Sequence, residues 1–83
     1  MNVVEFRTLL QFYSMQASFY NAIGHQRRCE ACYVKYVQLV EDVYSRESIE
    51  ASNAYFQVGV FYYEQQLVPK SLACFQRSLV LRQ

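Results

Sequence analysis

The sequence predicts an all-α protein of four helices, arranged as two stacked helical hairpins. Three observations carry that prediction. Of 83 residues only 2 are Gly and 1 is Pro, too few for a loop-rich chain. Apolar residues recur at spacings of three and four and nowhere alternate with period two for long. The chain also repeats itself at an offset of 42: Tyr13 and Tyr55, Phe19 and Phe61, Tyr20 and Tyr62, Cys32 and Cys74, Leu39 and Leu81 are such pairs. The matches fall on positions that helix packing requires, so the expected organisation is one domain over 1–83, with repeat one at about 3–44 and repeat two at about 46–83.

Each helix has its own signals. The first is expected from Val3 to Ile23, with Phe6, Leu9, Leu10, Tyr13, Ala17 and Tyr20 along one face and Gly24 placed as a C-terminal stop. The second runs from Gln26 to Tyr44, with Cys29, Tyr33, Tyr36, Val37 and Val40 on one side. Ser45 to Ser48 is a polar break whose hydroxyls can cap the next helix. The third spans Ile49 to Gln66. Pro69 suits the first turn of the fourth, where its missing N–H costs nothing.

Within the second repeat, Tyr55-x2-Val58-Gly59-x2-Tyr62 stripes one helix face, with Gly59 leaving room for a neighbouring backbone. Ser71-x3-Phe75-x2-Ser78 then offers small, large and small residues to nest against it. This phrase resembles one helix-turn-helix unit of the tetratricopeptide repeats. The 42-residue spacing exceeds their period, and the likeness is nearest to the longer repeats of kinesin light chains and related adaptor or ciliary scaffolds. The first repeat departs from the pattern: Gln16 stands in place of an aliphatic residue and Tyr36 in place of a small one. The resemblance implies a fragment or end of a superhelical array, and a protein-binding scaffold or adaptor rather than an enzyme. It also implies a cytoplasmic setting, cytoskeletal or ciliary among the possibilities.

Under that resemblance first helices line a concave groove. Gln11, Ser14, Ser18 and Asn21 form a polar stripe on the first helix, and the positions 42 later are Asn53, Phe56, Val60 and Tyr63. These eight are the candidate peptide-binding residues: amides and hydroxyls for a peptide backbone, Phe56 and Tyr63 for its side chains. Two plainer readings stand beside this one, a solvated face for the first stripe and packing against a further hairpin for the second. The lysine and asparagine clamp of chaperone-binding members is not expected, since Ser14, Ser18, Phe56 and Val60 occupy its positions. Leu72, Phe75 and Leu79 make the fourth helix apolar on more than one side and form a candidate assembly edge. By alignment with Glu41 the chain ends inside that helix, so either flanking repeats or a homodimer is expected to bury the edge, with Phe56, Val60, Leu72 and Leu79 as a possible dimer seam.

Other chemistry is thinly represented. His25, Cys29 and Cys32 share a helical face at i, i+4 and i+7 and have metal-ligand types, but zinc needs a fourth ligand and Cys74 is the remaining cysteine. The plainer expectation is that Cys29 fills the small slot that Ser71 fills in the other repeat and that Cys32 is half-buried. No cofactor and no metal are expected. Glu41, Asp42, Glu47 and Glu50 read as a solvated patch near a helix start. The net charge of +1 gives no push toward nucleic acid or an anionic membrane. Arg27, Arg28, Lys35, Lys70, Arg77 and Arg82 read as scattered solubilising charges, with Tyr33 and Phe75 expected to be buried. Three cysteines, with no leader-like N-terminus, point to reduced thiols and an intracellular chain. The partner expected is another protein or peptide, not nucleic acid and not a membrane.

Overall fold

The structure is a computed structural model that describes residues 2–82, apart from the side chain of Val3. It is all-α. Four helices follow in order: α1 (Val3–Ala22), α2 (Gln26–Tyr44), α3 (Ile49–Glu64) and α4 (Val68–Leu81). The chain divides into two compact units, Met1–Leu39 and Val40–Gln83.

In the first unit α1 starts where the Asn2 side chain accepts the Glu5 backbone N–H at 2.8 Å, and Glu5 places a negative charge on the positive end of the helix. It ends at Gly24, whose φ of 80° closes the last turn. The His25 N–H donates to the Tyr20 carbonyl and the Gly24 N–H to that of Asn21, the paired bonds of a Schellman stop. The chain turns back as α2, and the two helices approach closely enough for the Cys29 thiol to donate to the Ala17 carbonyl at 3.1 Å. Ala17 and Cys29 are both fully buried, since only small side chains allow two backbones so near. Gln16 receives the Cys32 thiol at 3.7 Å, which gives the departure from the repeat pattern a polar partner. Cys32 is buried rather than half-buried, and Tyr33 is half-buried rather than buried.

The second unit reproduces the helix-stop and inter-helix contacts of this plan at an offset of 42. Ser48 caps α3 by accepting the Ala51 N–H at 3.0 Å. The helix stops at Glu64, two residues short of the expected Gln66, because Gln66 takes the left-handed conformation (φ 63°) that Gly24 takes in the first unit. Leu67 and Gln66 then donate to the carbonyls of Tyr62 and Tyr63, the same two bonds 42 positions on. Pro69 lies in the first turn of α4. Ser71 donates to the Gly59 carbonyl at 3.0 Å, in the place of Cys29 and Ala17. Arg28 lies over the Tyr20 ring and Lys70 over that of Tyr62, again 42 apart.

The α3–α4 contact is closer to its ideal at the far end as well. Ser52 and Ser78 are buried there, and the Ser52 hydroxyl donates to the Ser78 carbonyl at 2.9 Å. In the first unit Leu10 and Tyr36 hold those positions, half-buried and too large for such an approach. Gly59 is required by geometry: a Cβ there would lie 2.8 Å from Phe75 Cε1 and 3.3 Å from Cys74 Cβ. Glu41, in the last turn of α2, is not a freely solvated charge. Its carboxylate accepts the Tyr55 phenol at 3.1 Å and lies 3.6 Å from the Arg46 guanidinium, so it ties α3 to the preceding segment.

Candidate functional site

The α3 stripe is where the apolar residues leave the hairpin. Ala51, Ala54, Val58 and Tyr62 are buried. On the opposite side of the helix Phe56, Val60 and Tyr63 are exposed at i, i+4 and i+7, the spacing by which one helix face receives another. Phe56 is braced from beneath by Phe75, ring centroids 5.4 Å apart and tilted by 50°, so its position is held while its outer edge stays open. Asn53 heads the stripe. Its side-chain oxygen accepts from Arg82 at 2.7 Å, and the residue is exposed.

Arg82 was not picked out as a site residue by sequence. Its guanidinium spans the top of the unit, donating to the buried Ser52 hydroxyl at 2.8 Å and to Asn53. Phe56, Phe75, Ser78, Leu79 and Arg82 together line a recess of about 290 Å³. That is at the small end of the range for ligand sites, roughly 300–1,000 Å³. Of the candidate assembly edge, Leu72 and Leu79 are exposed, while Phe75 is half-buried against Phe56 and serves the hairpin itself.

In the first unit Gln11, Ser18 and Asn21 are exposed along α1 and Ser14 is half-buried. The more distinctive face of that helix is apolar. Phe12, Met15, Phe19 and Ile23 are all exposed, and a hollow of about 320 Å³ is lined by Phe12, Met15, Gln16, Phe19 and Tyr20. Sequence reasoning did not single out this face. The signal was present, since α1 carries apolar residues on two sides where a helix at a protein surface carries one.

The sulfur-bearing residues are not drawn together as ligands. His25 is exposed, with its ring edge-on to Tyr20 at 6.3 Å. Cys29 and Cys32 are turned to separate acceptors on α1. Burial, and then the neighbouring Cys32, push the Cys29 thiol up from 9.0 to about 11, so it holds its proton at neutral pH. Among the described residues no three His, Cys, Asp or Glu side chains group as a metal site. Among the same residues no helix is long and apolar enough to cross a membrane. No family model, no curated protein and no solved structure matches the chain.

Proposed function

We propose that this chain is a protein–protein interaction module, a scaffold or adaptor element that holds a peptide or helix of another protein on the outer stripe of α3. The observation that carries the reading is the exposure of Phe56, Val60 and Tyr63 at helical spacing on a braced surface. Aromatic side chains with a fixed base are the usual anchors of such contacts, because they bring much area at little cost in side-chain freedom. A partner helix would set its own apolar stripe on these three residues. The Asn53 amide, oriented by Arg82, would donate to a partner carbonyl at one end. The tetratricopeptide resemblance adds a cytoplasmic adaptor, transport or ciliary setting at the strength of analogy.

The test is a selection of binding peptides from a displayed library, followed by affinity measurement on variants. Tyr63→Ala is expected to weaken the selected peptides at least about tenfold, some 1.4 kcal/mol, with helicity unchanged. Selected peptides that bind Tyr63→Ala and Phe56→Ala as tightly as the parent chain contradict the reading. A second reading, self-association, draws on the exposure of Leu72 and Leu79 on α4.

A further inference from the structure

Repetition supplies an internal control on which faces this fold closes. Phe19 and Phe61 are the same residue type at the same repeat position, 42 apart, yet Phe19 is 59% exposed and Phe61 is 5% exposed. Seven residues earlier the contrast recurs: Phe12 is 52% exposed and its counterpart Ala54 is 1% exposed. The second helices show the reverse. Val40 is 3% exposed, whereas its counterpart Arg82 is exposed; Val37 is half-buried, whereas its counterpart Leu79 is 64% exposed. Each repeat thus has a leading face on its first helix and a trailing face on its second. The leading face stands open on α1 and the trailing face on α4.

In stacked repeats a leading face is closed by the trailing face of the repeat before it. We infer that a second copy of this chain supplies that cover, its α4 seated on the α1 of the first, in a head-to-tail association. This rests on the reading that the chain works by binding other chains, and it names one such partner. The two faces suit each other. The positions between the apolar residues of α1 include Gln16 and Ser18, which carry no charge to be buried. Of the exposed apolar residues of α4, Leu72, Leu79 and Val80 follow i, i+7 and i+8 on one side. The one guanidinium at that edge, on Arg82, already has acceptors in Ser52 and Asn53.

Magnitude sets the strength. Phe12, Met15, Phe19 and Ile23 are each at least half open, and aromatic side chains carry roughly 200 Å². The α1 face therefore offers on the order of 400 Å², about the largest apolar patch that a monomer ordinarily leaves uncovered. A stable interface of standard size takes about 800 Å² from each partner. The association is accordingly weak, with a Kd on the order of 10 μM to 1 mM. Because the two faces differ, the contact is heterologous, and each added copy leaves one of each kind open.

That asymmetry gives the test. Phe19→Asp spoils the leading face and leaves the trailing one, and Leu79→Asp does the opposite. Both residues are exposed, so both variants are expected to keep the parent helicity by circular dichroism. In light scattering at concentrations where the parent chain associates, each variant alone should be monomeric. An equimolar mixture should reach twice the monomer mass and go no further, since only one productive contact remains. A symmetric dimer through α4 would instead leave Phe19→Asp associating like the parent, and that result overturns the inference. So does a mixture that stays monomeric, or a parent chain that never associates. Should either substitution lower helicity, Phe12→Asp, whose counterpart Ala54 is buried, and Leu79→Lys take their places with the same expectations. A peptide selected on α3 that still binds Phe19→Asp, a change outside the lining of the Phe56 recess, separates the failure of this inference from failure of the module reading.

Discussion

A thiol and a hydroxyl hold equivalent places in the two hairpins, Cys29 against the Ala17 carbonyl and Ser71 against that of Gly59, at 3.1 and 3.0 Å. The equivalence predicts an asymmetry between substitutions. Cys29→Ser should keep the contact and change stability by less than about 1 kcal/mol, whereas Ser71→Ala should lose about 1 kcal/mol with the bond it deletes. Urea unfolding measures both, and equal losses at the two sites would contradict the equivalence. The Cys29 thiol adds a pH dependence. Its value is raised to about 11 in the folded chain from an ordinary 9.0, first by burial and then by Cys32. The folded state holds a proton that the unfolded state releases, so this contribution is complete below pH 9 and is lost as pH rises through about 11. The urea midpoint should therefore fall across that window more steeply for the parent chain than for Cys29→Ser; parallel profiles would remove Cys29 as the cause. The small slot of Cys29 was legible in the sequence through its repeat counterpart Ser71, though its bond to the Ala17 carbonyl was not. That of Arg82 was not, since its partners Ser52 and Asn53 lie about thirty residues away and nothing local pairs them.

Among the elements, helix limits were the most legible feature. Gly24, Ser48 and Pro69 are local stop and start signals, and local chemistry decides where a helix frays. Three C-terminal ends fall short of the expected ones. The first helix stops at Ala22 rather than Ile23, and α4 at Leu81 rather than running on to the end of the chain. The third stops at Glu64, where Gln66 adopts a conformation ordinarily given to glycine, which its residue type does not advertise. Close approach of α3 and α4 hangs on Gly59. Alanine there would gain about 1 kcal/mol in helix propensity, but its Cβ would stand 2.8 Å from the Phe75 ring and 3.3 Å from Cys74 Cβ. Overpacking of this kind costs about 1–3 kcal/mol. The Phe75 ring is braced by Phe56 and Cys74 belongs to the helix itself, so relief requires α4 to move. Gly59→Ala should destabilise by about 1 kcal/mol net and disturb the α3 stripe through Phe56. Thermal unfolding reads the first effect, and a higher midpoint for the variant would show that the helices part without penalty. The first hairpin takes Ala17 at that position, which shows that the plan tolerates a methyl group where the opposing helix is fitted to it.

At the level of the whole molecule, repetition explains why the fold class could be read and the working faces only in part. Periodicity reports which residues are apolar, not which of two apolar faces finds a neighbour. On α3 one face proved outward and braced, where Phe56, Val60 and Tyr63 were already candidates. On α1 the apolar residues Phe12, Met15 and Phe19 are open, though only the polar stripe beside them had drawn notice. Burial is set by three-dimensional neighbours and is invisible to local pattern. The consequence is a chain whose helices α1, α3 and α4 leave large apolar side chains open. The most direct test is sedimentation equilibrium of the unmodified 83-residue chain, from about 10 μM to about 1 mM. Apparent mass should climb steadily above that of the monomer and pass the dimer without a plateau. A fully helical monomer at every concentration would contradict the account, because it would mean that the open faces of α1 and α4 cost this chain nothing to keep in water.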